Sequence, residues 1–228
     1  MNPNCCLLLL VCGIVFAPAA SAKPVAIKPI PGLYYMPSGS MEPTLPVGAR
    51  LWASPVPYQI SDPKRGDIAL LDVATLVTAF GIPKGATTWA KRIVAVPGDR
   101  VEVANGVLRL NGQLQNEPYV LWRAASPGLL TPNKESRYDL KVVHGMVFSR
   151  DRLEKGVVGA WTRGDVLVNP DEQSAISNAK TEPLPPHKYL ALGDHRSNSL
   201  DSHIFGLVDR SQIKAKVTMR LYPNPRPF

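Results

Sequence analysis

Apolar residues fall in short runs along most of this chain, and turn residues separate them. Runs at Ala49–Ala53, Ile68–Val73 and Trp89–Val96 have the length and composition of strands. Val101–Ala104 and Val107–Leu110 flank Asn105-Gly106, the pair that favours a two-residue type I′ hairpin. Further strands are expected near Tyr119–Arg123, Val142–Phe148, Asp165–Val168, Tyr189–Leu192 and Ile213–Leu221, whereas Asp171–Lys180 reads as a loop or a poor helix. Short strands with turn signals at this spacing predict a mainly β protein with an antiparallel core. Residues 37–110 and 188–222 read as that core, and 111–187, richer in proline and charge, as a smaller inserted β region. The tail, residues 223–228, is expected to fray.

One run breaks the pattern. Residues 5–22 carry no charge and end in Ala20-Ser21-Ala22, a small-x-small cleavage pattern. The run reads as an export signal or a short retained anchor, and its length favours the signal. Lys23 and Lys28 follow it and no Lys or Arg precedes it, the reverse of the charge bias expected for an exported domain. Residues 23–36 form an extended, proline-containing connector ending in Tyr34-Tyr35-Met36, which suits a membrane–water interface and an ordinary strand equally well.

Charge narrows the partners. The net charge of +8 suits an anionic membrane surface or a nucleic acid. No basic cluster interleaves with aromatics and no helix-turn-helix or zinc-finger spacing occurs, so nucleic acid is not expected. The three cysteines all lie in the apolar N-terminus, and the four histidines are scattered without an HExxH pattern. Neither a catalytic metal nor a cofactor is expected.

Candidate chemistry begins at Pro37-Ser38-Gly39-Ser40-Met41-Glu42-Pro43-Thr44-Leu45. The two prolines disfavour helix, and Gly39 lets the backbone pass close to another group. A serine presented there needs a base to become a nucleophile. Lys91 sits inside the apolar run Trp89–Val96 beside Arg92, and strict alternation sends the two side chains to opposite faces. On a core face the amine would be pushed towards its neutral form and could take a serine proton; on an edge facing water Lys91 would be a solubilising charge. The polar loop Gly193–His203 offers Ser199 as a hydrogen-bond partner for Lys91 and Asp201 as a carboxylate for Arg92, or it is a solvated turn.

Taken together, these stretches resemble the signal peptidase I family of serine proteases, which use a Ser–Lys dyad. The resemblance is carried by Pro37–Leu45, Lys64-Arg65-Gly66-Asp67, Lys91–Asp99 and Gly193–Ser202, in family order. It implies the antiparallel β catalytic core of signal peptidase type, with Ser40 as nucleophile and Lys91 as general base. Ser38 would donate its hydroxyl, and Ser40 its N–H, to an oxyanion; Ser199 would orient Lys91 and Asp201 would pair with Arg92. It departs from the family pattern at His203, where a basic residue is usual, and at His195 and Ser197, which replace a frequent Asn and Asp. A Ser–His–Asp triad using His195 or His203 is the competing assignment.

The resemblance implies a membrane-associated serine endopeptidase that cleaves exported precursors after A-x-A, with Ala20-Ser21-Ala22 a site of that kind in its own chain. The expected location is the bacterial inner membrane with the catalytic domain on the periplasmic side, or the periplasm if residues 1–22 are removed. The family's conjugative-transfer branch, which matures pilin precursors and can cyclise them, is the alternative. From other classes come a non-catalytic basic β domain binding anionic partners and a self-cleaving repressor-like protein; the latter lacks its helix-turn-helix here.

Overall fold

The computed structural model describes residues 32–74, 88–122, 137–152, 157–164 and 166–228. The apolar segment 1–22 and most of the connector lie outside the described residues. The strands are β1 (Gly32–Tyr35), β2 (Arg50–Ser54), β3 (Ile68–Asp72), β4 (Thr88–Ala95), β5 (Val101–Ala104), β6 (Val107–Leu110), β7 (Gln113–Leu114), β8 (Arg137–Val143), β9 (Met146–Arg152), β10 (Thr162–Arg163), β11 (Val166–Leu167), β12 (Lys188–Leu192), β13 (Val208–Asp209), β14 (Ile213–Tyr222) and β15 (Arg226–Pro227). They form two antiparallel sheets. The first runs β1-β2-β14-β3-β4-β12-β13, with β15 on β14; the second runs β11-β10-β9-β8-β5-β6-β7. The division between them falls after β4, so the Asn105-Gly106 hairpin belongs to the same sheet as the strands drawn from 111–187.

Turn chemistry explains much of the second sheet. Asn105 and Gly106 both take positive φ, as a type I′ turn requires, and so do Asn111-Gly112 and His144-Gly145. The last pair corrects the sequence reading: Val142–Phe148 is not one strand but the end of β8, a tight turn and the start of β9. Tyr119–Arg123 is likewise not a strand as far as it is described; Leu121 makes an isolated parallel bridge to His195 instead. Residues Pro170–Asn178 form a helix. Its start is set by Asn169, whose side chain accepts the Glu172 N–H, by Pro170 in the first turn, and by Asp171 and Glu172 facing the positive end of the dipole. Lys141 holds the other end, donating to the carbonyls of Ile176, Ser177 and Ala179. The tail, expected to fray, pairs with β14 through Arg226↔Arg220 and Pro227↔Met219.

The first sheet is the one that carries the candidate chemistry. Its inner face buries Met41, Leu45, Leu51, Ile68, Leu70 and Val217 together, so the Ser40 loop is anchored by its own apolar residues. Met41 and Leu45 bridge each other and are fully buried, which explains why the loop follows Ser40 with Met and Leu at this spacing. β4 lies between β3 and β12, with Ala69 opposite Lys91 and Leu192 opposite Arg92. This central position removes both side chains from water.

The turn Pro97-Gly98-Asp99 leads from the first sheet to the second. Asp99 is buried and accepts from Arg65 through both oxygens, from the Val96 N–H at 3.0 Å and from Asn111 at 3.1 Å. Burial opposes its ionisation, but Arg65 and the two N–H donors outweigh it and hold the carboxyl below its usual range. Asp99→Ala should therefore destabilise the fold by about 2–4 kcal/mol in urea denaturation at neutral pH. A carboxylate with a lowered folded pKa stabilises above its unfolded value and loses that effect as pH falls through the folded one. The difference from wild type should thus narrow only below about pH 4.

Candidate active site

Residues 36–49 leave β1 and return to β2 as a closed loop. The Met36 N–H donates to the Ala49 carbonyl and the Gly48 N–H to that of Met36. Inside it, Glu42 N–H donates to Gly39 O at 3.0 Å and Leu45 N–H to Met41 O at 2.8 Å. Ser40 is thus pinned one residue before the buried Met41. Its hydroxyl lies 3.0 Å from Lys91 Nζ, the contact the sequence reading anticipated. Ser38 Oγ sits beside the pair and donates to Ser40 Oγ at 3.4 Å.

Lys91 is 3% exposed. Burial disfavours its cationic form and lowers its pKa from 10.5 to about 8, although the carboxylates of Asp201 and Asp194 pull in the opposite direction. As an ammonium it donates to Ser40 Oγ; as a free amine it accepts the serine proton. The lowered value makes the second state accessible near neutrality.

Arg92, on the opposite face of β4, corrects the expected pairing. Its fork closes on Asp194, not Asp201: Nε donates to Oδ1 and Nη2 to Oδ2, each at 2.7 Å. Nη1 reaches Gly66 O at 2.8 Å, and the guanidinium stacks 3.8 Å from the Tyr119 ring centroid. Asp201 stays under the dyad. One carboxylate oxygen accepts the Gly193 N–H at 2.8 Å, and the other meets His203 Nδ1 at 2.6 Å. Burial alone would raise the Asp201 pKa, but His203, Lys91 and the Gly193 N–H hold it low. The His203 ring stacks on Tyr138 at 4.8 Å, so a flat imidazole fills this place and serves the carboxylate.

Ser199 does not take its expected role. It is buried beside the dyad, but its Oγ makes no hydrogen bond to Lys91 or to any other described residue. Gly193 leaves it that space: a Cβ on Gly193 would fall 2.2 Å from Ser199 Oγ and 2.5 Å from Ser40 O. The triad alternative receives no support at Ser40. His203 Nδ1 meets Asp201 as a triad histidine would, but its ring stacks on Tyr138, and the side-chain groups at Ser40 Oγ are Lys91 Nζ and Ser38 Oγ; His195 Nδ1 is on Gly39 O.

Sequence reasoning missed Asp194, Glu117 and Tyr119. Asp194 had a visible signal, since an acid two residues beyond the buried run Tyr189–Leu192 needs a cation. Glu117 pairs with both guanidinium ends of the buried Arg196, and Arg196 Nε reaches Gly193 O at 3.1 Å. Nothing local in the sequence links residues so far apart.

The sequence profile of the family described as "Signal peptidase, peptidase S26" matches residues 7–222. A protein named "Probable signal peptidase I-2" from Synechocystis is 31% identical over 192 residues, 84% of this chain and 63% of that protein. The chain therefore spans somewhat less than two thirds of that relative. "Signal peptidase IB" of Staphylococcus aureus (strain COL) is 30% identical over 83% of this chain and 77% of its own length. A crystal structure of a signal peptidase I from Enterococcus faecalis V583 aligns with TM-score 0.37 and 21% identity, covering 69% of this chain and 98% of that one.

If Lys91 is the base, the log of kcat/KM should rise with slope one through an acidic limb centred near pH 8. Below that point the amine holds its proton and the rate falls about tenfold per pH unit. A limb near 10.5, the ordinary lysine value, would show that burial does not tune this amine.

Proposed function

We propose that this chain, which belongs to the signal peptidase family of serine peptidases, cleaves exported precursor proteins after small residues in an A-x-A context. The observation that supports this reading is the buried Lys91 amine 3.0 Å from the Ser40 hydroxyl. Ser40 Oγ attacks the scissile carbonyl as Lys91 takes its proton. The oxyanion is met by the Ser40 N–H and the Ser38 hydroxyl. Lys91 then returns the proton to the leaving amine, and an acyl group stays on Ser40. A water, deprotonated by the same amine, releases it. The precursor binds as an extended segment by strand addition. The relatives described above carry signal peptidase names, so general precursor processing is preferred over pilin maturation.

A lipid surface is the second element of this reading. Leu33, Trp52 and Met219 are exposed and stand in one cross-strand row; Tyr35 and Tyr222 flank Arg50 in the next. Among the described residues no helix is long and apolar enough to cross a membrane. An apolar, aromatic face with a cation in it suits the headgroup boundary of a bilayer; the catalytic face is proposed to lie on the extracytoplasmic side because precursors emerge there.

The functional test is the intact mass of products after the full-length protein in detergent meets an A-x-A preprotein and, separately, a pilin precursor. A preprotein cut after A-x-A, absent with Ser40→Ala and slowed about 10²–10³-fold by Ser38→Ala, is the expected result. No cut of the preprotein would overturn the assignment, and a pilin product lighter by one water would move it to the transfer branch. For the lipid surface, Trp52→Ser with Tyr222→Ser should weaken sedimentation with anionic vesicles about tenfold or more while leaving cleavage of a short soluble peptide unchanged. Unchanged sedimentation would remove this face from the membrane contact.

A further inference from the structure

His195 is 3% exposed and belongs to neither the dyad nor the arginine pairs, yet it hydrogen-bonds the nucleophile loop through both its backbone and its ring. Its backbone N–H donates to Ser40 O at 3.2 Å, and its Nδ1 lies 3.2 Å from Gly39 O. A carbonyl oxygen only accepts, so Nδ1 carries the proton and donates. The two carbonyls stand on either side of Ser40, one in the peptide before it and one in the peptide after it. The Gly39 carbonyl and the Ser40 N–H belong to the same planar unit, and in a trans peptide they point in opposite directions. Whatever fixes the Gly39 oxygen therefore aims the Ser40 N–H.

Gly39 is where that plane most needs fixing, because glycine lets its own ψ rotate with little steric cost. The Glu42 N–H also donates to Gly39 O, at 3.0 Å, from within the loop itself. The imidazole supplies a second bond, and from a different part of the fold. Glu42 Oε2 is 3.7 Å from the same Nδ1 and favours a donor there. His195 is itself held firmly. Asp194 before it is forked by Arg92, and Arg196 after it is paired with Glu117. Leu121 bridges the backbone on both sides, donating to Asp194 O at 2.8 Å and accepting from Arg196 N at 3.0 Å.

Resting on the proposed function, we infer that His195 is a positioning residue for the oxyanion site. Its Nδ1–H holds the Gly39 carbonyl so that the Ser40 N–H stays turned towards the substrate oxygen. The contribution is made in the transition state, when charge develops on that oxygen, so it belongs in kcat and not in substrate binding.

Three substitutions in the full-length protein test this on an A-x-A preprotein. His195→Leu keeps bulk and loses the donor. His195→Asn places an amide N–H close to where Nδ1 stands. His195→Gln carries its amide one methylene further, nearer the position of Nε2. Expected is a fall in kcat of about 10–100-fold for Leu and Gln, below the effect of losing an oxyanion donor outright. KM and the acidic limb of the pH profile should be unchanged. Asn should recover kcat to within a few-fold of wild type. Wild-type kcat for Leu, or equal losses for Asn and Gln, would overturn the proposal. If the Leu protein does not fold, the comparison of Asn with Gln decides alone. A wild-type protein that leaves the preprotein uncut would sink the peptidase reading itself, a separate outcome from an active enzyme indifferent to His195.

Discussion

The arrangement depends on keeping a lysine amine out of water and against a serine hydroxyl. Water would hold Lys91 as a cation, and a cation cannot take the Ser40 proton. Position 91 on β4, between β3 and β12, is covered on both sides by strands, and Met41 and Leu45 bring the serine loop down onto the same core. The same burial that makes the charged form costly also fixes the distance between the two groups. Asp201 and Asp194 limit how far the amine is depressed, so that it remains able to return the proton to a leaving group.

The surroundings of the dyad are an ordered set of buried charges, each with a partner. Arg92 takes Asp194, Arg196 takes Glu117, and Asp201 takes His203 and the Gly193 N–H. Breaking such pairs would leave an uncompensated charge in the interior, which is why they are better read as fixing one loop geometry than as adding stability. The loop they fix, residues 193–203, approaches Ser40 so closely that only glycine fits at 193. Residues 117–121, reached through β5 to β7, clamp this loop from the side. The second sheet and the segment beyond it thereby contribute to the site of the first.

What the sequence disclosed, and what it hid, follows from the range of each interaction. Lys91 within Trp89–Val96 fits a buried amine and a water-facing edge charge alike until the other polar stretches are set beside it, whereas Asn105-Gly106 marks a hairpin through backbone preference alone. His144-Gly145 makes the same turn, but His-Gly is not among the Asn-Gly, Asp-Gly and Gly-Gly pairs that mark one, so the apolar residues on either side read as a single strand. Choosing between Asp194 and Asp201 for Arg92 required the path of the loop. Both are acids in one polar stretch, and only the fold shows that the nearer carboxylate faces the arginine while the further one turns to His203. Ser199 lies against Gly193, which also abuts Ser40 O, and makes no hydrogen bond to Lys91, a detail of packing that the sequence does not carry. The clamp by Glu117 and Tyr119 has no sequence signature, because Glu117 meets Arg196 across 79 positions and Tyr119 meets Arg92 on a separate strand.

The central claim is that the Lys91 amine makes Ser40 a nucleophile. Its most direct measurement is acid quenching of the full-length protein within the first turnover on a preprotein, followed by mass analysis of the peptide that contains Ser40. The expected result is an ester on Ser40 with the mass of the precursor's N-terminal fragment, absent from a folded Lys91→Ala protein. Turnover with no adduct on Ser40, or the same adduct at the same rate without the amine, would contradict it.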